Sequence, residues 1–255
     1  MVLSEHQIFS WLGQFLWPFL RITGLFLTDP LYGSVFIPAQ VKAVMAAALA
    51  AALALWLPQL PPFPGDPAAA FVQGVIQISF GAVLGMAMQV AVLAIACTGE
   101  IVGLSMGLSF AELQFKEATT ATPVLYDIMS WAGIMGYIVI GGPFWLFGAL
   151  AHSFQTGVTL GGLSNWNDLT MVGSSFMTSA VWLAMPVMAV TLSVNIIVGL
   201  TSIFTAQLNI LTIGFPLLIL AGLWIFIGSI GTMNQDFHAI FMAAMRGAAM
   251  MIPHG

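Results

Sequence analysis

Charge is what this sequence has least of. Nine acidic and four basic residues are spread over 255 positions, 5% of the chain, where an ordinary soluble domain carries about 25%. So few charges do not cover a water-facing surface of this size, which excludes a conventional soluble fold. The four basic residues form no stripe, which excludes nucleic acid as a partner. A single cysteine, Cys97, excludes an internal disulfide and a cysteine-based metal site. His6, His152, His238 and His254 are scattered, and no H-E-x-x-H, G-x-S-x-G or P-loop pattern occurs. The sequence therefore predicts neither an enzyme nor a cofactor or metal site. The first residues carry Glu5, no basic residue before the apolar run and no small-residue cleavage pattern. The first apolar run is accordingly expected to stay as a helix.

What is present is apolar length. Hydrophobic residues make up 60% of the chain, and the mean hydropathy is +1.04. Six long apolar segments stand out, roughly 7–28, 38–57, 69–98, 124–150, 176–204 and 213–233. Each reaches the ~20 residues that cross a bilayer core. None alternates with period two, and backbone groups in lipid need internal partners, so helices are expected throughout. The fold class read here is all-α: an integral-membrane type of about six long, kinked helices packed as hairpins, one domain over 1–255. The third segment runs on through GEIVGLSMGLSF, which exceeds an upright span. LPQLPPFPGDP (57–67) and GGLSNWNDLT (161–170) read as loops. After 233 one amphipathic helix is expected.

Several residues stand out against this background. Gly99, Gly103 and Gly107 recur every fourth position, as do Gly81 and Gly85. Such spacing lays a smooth face along a helix and lets another backbone approach, within the chain or between subunits. Glu100 sits in this array, and Arg21 and Asp127 are likewise ionisable groups in apolar runs. Structural pairing, contact with a partner chain and a proton relay are the three roles such groups take. Met106 lies among small residues, where a flexible thioether fills an irregular gap. With Gly107, Leu108, Ser109, Phe110 and Phe115 it forms a segment able to close a narrow passage through dispersive contacts alone. AELQFKEATTATP (111–123) follows as a polar hinge. In TAQLNILTIGFP (205–216), Gln207 and Asn209 can satisfy backbone groups at a break, and Gly214, Phe215 and Pro216 force a turn before the last long helix.

Two non-enzymatic classes compete, a secondary transporter and a subunit of a protein-conducting channel. The first calls for two similar halves with matching interrupted helices, and segments one to three do not align with four to six. The second gains from a set of short motifs in order: WPFLR (17–21), IPAQVK (37–42), TGEIVGLSMGLSF (98–110), PVL (123–125), MPVMAVTLSVN (185–195), GL (199–200) and AQLNILTIGFP (206–216). Together, at compatible spacings over nearly the whole chain, they resemble the FliR/SctT family of type III secretion export-gate subunits. The chain departs from that pattern at Ile203, where members commonly carry arginine, and at Ala206, where they carry proline. It also has Phe115-Lys116 near a usual Asp-Pro, and Gly141-Gly142-Pro143 for a usual Asn-Gly-His.

The resemblance implies a helical, closed-bottom pore built with FliP-like and FliQ-like subunits, wrapped by an FlhB-like component and completed by an FlhA-like one. It implies unfolded flagellar proteins as substrates, membrane lipid as surroundings and the bacterial inner membrane at the centre of the flagellar basal body as location. The pore of such an assembly is raised largely out of the bilayer plane. The GLSMGLSF region (103–110) resembles the family's plug, and the 206–216 hairpin a part of the subunit assembly. The homologous injectisome subunit is the second reading within the same family.

Overall fold

The computed structural model describes residues 5–57, 60–108, 124–155, 166–204 and 214–250. Every regular element among them is helical: α1 (Glu5–Thr28), α2 (Ala39–Trp56), α3 (Pro67–Ser105), α4 (Val124–Val139), α5 (Gly142–Gln155), α6 (Trp166–Phe204) and α7 (Phe215–Met250). Four of them are long and apolar enough to cross a membrane, and the bent pair α4–α5 adds a fifth if taken as one span. This is an all-α membrane protein.

The first apolar segment forms α1, which is not among the helices apolar enough to cross a membrane; otherwise the segments map onto helices with three differences. Segment 124–150 is two helices, because Gly141 adopts φ +77° and Pro143 denies the next turn an N–H; the axes bend by 58°. α6 starts ten residues before its apolar run, so Trp166–Thr170, expected as loop, is helix. The amphipathic tail is not a separate helix, since α7 continues through Asn234-Gln235-Asp236 without a break. Internal prolines at 18 and 186 leave α1 and α6 unbroken. α3 reaches Ser105 as the long third segment requires; its 39 residues extend about 58 Å.

The chain separates into two compact units. The first comprises Met1–Val90, Tyr137–Thr170 and Ala243–Gly255; the second comprises Ala91–Gly136 and Met171–Met242. In the first unit, α1 packs on α2 and lies against the first half of α3 at backbone distance. A side chain at Gly81 would collide with the Arg21 carbonyl, and one at Gly85 would lie 2.8 Å from the Leu25 carbonyl oxygen. The glycine spacing thus serves packing within the chain here. The proline-rich stretch before α3 is a strap on α1: Trp17 Nε1 donates to the Pro61 carbonyl at 3.0 Å, Phe63 N–H to the Phe9 carbonyl at 2.9 Å, and Leu60 N–H to Gln14 Oε1 at 2.9 Å.

In the second unit the end of α3 meets α4, α6 and α7. Its core includes Val92, Ile95, Val102, Met106, Met129, Phe176, Ala184 and Phe241. Thr98 Oγ1 donates to Ala94 and Ala180 carbonyls, at 3.1 and 3.4 Å. By contrast α2, α6 and α7 carry long apolar faces in the open; on α2 only Ala46 and Ala50 are buried.

Candidate functional site

The end of α3 gathers most of the residues singled out in the sequence. Gly99 is buried where α4 crosses: a Cβ there would strike the Leu125 carbonyl and sit 2.7 Å from Met129 Cγ. Gly103 is looser, its nearest neighbour being Leu125 Cδ1 at 3.8 Å. The close approach therefore falls at Gly99, and Gly103 has room for a methyl group. Gly107 plays a different part. Its φ is +75°, a conformation that costs any residue with a Cβ. Together with a tight bond from its N–H to the Leu104 carbonyl at 3.1 Å, this ends α3.

Met106, one residue earlier, is 0% exposed. It lies on α7 at Gly222, where a Cβ would meet Met106 Cγ at 2.6 Å and Cε at 2.8 Å. The absence of a side chain on α7 makes the socket that the thioether fills. Gly222 was not singled out in the sequence, because nothing local distinguishes it from other glycines in an apolar run. Leu108 is partly exposed just beyond. Ser109, Phe110 and Phe115 lie outside the described residues, as do Gln207 and Asn209. Gly214 is buried at the start of α7, Phe215 is its first residue, and Pro216 is exposed in its first turn, where a missing N–H costs nothing.

Glu100 is exposed on α3 and lies near Tyr126 of α4, with Cys97 one turn below it; Asp127 is exposed on α4. Beside Ser105, an open cavity of about 370 Å³ runs along α6, lined by Met185, Met188, Thr191, Leu192 and Asn195 among others. Its wall is almost wholly apolar. Among the described residues no three His, Cys, Asp or Glu side chains gather as a metal site would require.

The first unit holds two buried polar clusters. Arg21 is 2% exposed. Its Nε donates to Gln77 Oε1 at 2.7 Å and its Nη1 to Ser153 Oγ at 2.6 Å. Its guanidinium carbon lies 3.7 Å from the Phe154 ring centre and 4.9 Å from that of Phe80. The pairing of Arg21 is therefore with neutral groups and two ring faces. The second cluster joins the end of α1 to α4: Tyr137 Oη donates to Asp29 Oδ2 at 2.6 Å, while Asp29 Oδ1 accepts Leu31 and Tyr32 N–H, both at 2.8 Å. Burial raises the Asp29 pKa above its ordinary value, and these three hydrogen bonds offset part of that shift. Asp29 lies just past α1, and its partner 108 positions away left no signal in the local sequence.

The family described as bacterial export proteins, family 1, matches residues 12–244. The flagellar biosynthetic protein FliR of Escherichia coli is 34% identical over 225 residues, 86% of this chain and 85% of that protein. FliR of Pectobacterium carotovorum is 28% identical over 226 residues, 88% and 86% of the two chains. FliR of Aquifex aeolicus is 25% identical over 234 residues, 88% and 90%.

Proposed function

The chain belongs to family 1 of the bacterial export proteins, and we propose from that premise that it is a component of the flagellar protein export apparatus. The finer reading is a non-enzymatic pore subunit. It joins FliP-like and FliQ-like chains in the inner membrane, at the centre of the basal body, and passes unfolded flagellar proteins. FlhB-like and FlhA-like components complete the gate. Similarity to flagellar relatives along most of the chain favours this over the injectisome role.

The observation that carries the pore reading is the end of α3. Helix α3 stops at a buried methionine and a left-handed glycine, so whatever follows residue 107 leaves from a fixed point. In this reading Met106 and Gly107 anchor and turn the plug, and Leu108, Ser109, Phe110 and Phe115 form its closing part. The apolar faces of α2, α6 and α7 are too extensive to remain bare in a working protein, and neighbouring subunits and lipid are their natural cover. Glu100 is exposed on α3 and suits a basic or hydrogen-bond-donating side chain from a partner.

Mild-detergent extraction of the tagged chain from motile cells tests this. FliP-like and FliQ-like chains should copurify, and deletion of the gene should abolish swimming. A monodisperse, folded monomer that ignores added FliP-like and FliQ-like chains would sink the pore reading. Injectisome partners in their place would move the protein to the second system.

A further inference from the structure

Between α1 and α2 lies a cleft of about 210 Å³. Phe19, Thr23 and Phe26 line it from α1, Ala43 and Ala46 from α2, and Lys42 is the charged group in its wall. Lys42 Nζ donates to the Ser34 carbonyl at 3.0 Å, which holds the ammonium at the α1–α2 turn. Among the described residues no carboxylate stands within ion-pair distance of it. From that turn the cleft runs down two antiparallel helices, with small alanines on one side and aromatic rings on the other.

The rest of α2 says where this cleft sits. α2 is 18 residues long, about 27 Å, and after Lys42 it carries no charge to its end. It ends at Trp56, which is exposed. A lysine near one end and a tryptophan at the other are the marks of a helix cut to a bilayer. The turn beside Lys42 presents Val35, 98% exposed, and Phe36. These are groups that water leaves uncovered and a headgroup region does not.

We propose that this cleft is a binding site for one anionic phospholipid, its phosphate on the Lys42 ammonium and one acyl chain lying between α1 and α2. The charge fits because a lone cation at headgroup level selects anionic over zwitterionic lipid. The shape fits because Ala43 and Ala46 leave room that a larger side chain would close. The proposal does not rest on the pore reading; it needs only the membrane placement of α2.

The test uses the full chain, in whatever complex it copurifies with, reconstituted in equal phosphatidylglycerol and phosphatidylcholine and re-extracted for native mass spectrometry. The wild type should carry a discrete phosphatidylglycerol in preference to phosphatidylcholine. Lys42→Gln should lower its retention about fivefold, and Lys42→Arg should restore it. Ala43→Leu should lower it by filling the cleft, with helical circular dichroism and melting checked in parallel. Retention of the two lipids in the proportion supplied, no discrete lipid on the wild type, or undiminished phosphatidylglycerol in Lys42→Gln would each overturn the proposal. The lysine pair decides the matter even if Ala43→Leu fails to fold.

Discussion

At the residue scale, what could be read ahead was the kind of residue, and what could not was its partner. The four-residue glycine spacing announced a close backbone approach, but spacing alone ranks Gly99 and Gly103 equally. Only the crossing point of α4 separates them. Gly99→Ala should therefore destabilise by about 1–3 kcal/mol, because a methyl group meets backbone that has to move. Gly103→Ala should be neutral or slightly stabilising, since a helical alanine replaces glycine where its methyl group meets Leu125 at ordinary van der Waals distance. Thermal unfolding in detergent measures both, and equal losses would mean that the α3–α4 contact is not where it is drawn. Arg21 was legible as an anomaly, whereas its neutral cage was not, because Gln77 and Ser153 are distant in sequence. Gln77→Leu strands a buried cation and should cost about 1.5–3 kcal/mol. Arg21→Met removes the need for the cage and should cost less than that in the Gln77→Leu background, which a double-mutant cycle would show. For Asp29 the sign follows from its raised pKa. Its contribution to stability is full below the ordinary carboxylate value of about 3.9 and is lost as pH rises through the raised value. The melting temperature of the wild type should therefore fall across that window while that of Asp29→Asn stays flatter. A parallel decline in both would assign the pH dependence to another group.

At the scale of elements, apolar length located the spans, and local punctuation located their breaks unevenly. The end of α3 was legible as a run that outlasts a bilayer. The α4–α5 break was written in Gly141-Gly142-Pro143, yet apolar residues on both sides concealed it within one segment. The early start of α6 was hidden for the opposite reason: Trp166–Thr170 is polar, and hydropathy cannot distinguish a helix in water from a loop. The break depends on Gly141, whose positive φ is needed even though nothing crowds a Cβ there. Gly141→Ala should cost about 1 kcal/mol through backbone strain alone, and Gly148→Ala, on the open side of α5, should cost nothing. The same comparison of melting temperatures checks it; equal tolerance would mean that the bend does not require the left-handed residue. Met106→Ala should empty the socket at Gly222 and cost about 2–5 kcal/mol. In the pore reading it should also leave cells permeable to small solutes if enough subunit assembles.

At the scale of the molecule, the shortage of charge and the open faces of α2, α6 and α7 argue for a protein whose final surface is supplied by others. In the pore reading, expression without FliP-like and FliQ-like chains should accordingly give a short-lived product, which pulse-chase labelling would show; an equal half-life would count against obligate assembly. The Arg21 cage has a further consequence, which concerns time. Arg21 is synthesised early, Gln77 follows 56 residues later and Ser153 only after 132. At about 5–20 residues per second, the wait for the last partner is on the order of ten seconds. Throughout that interval the newborn α1 carries a cation without its complement of donors and rings. The first hairpin is therefore a guest that cannot settle alone. Whatever receives it in the membrane must shelter the guanidinium until α5 has been made.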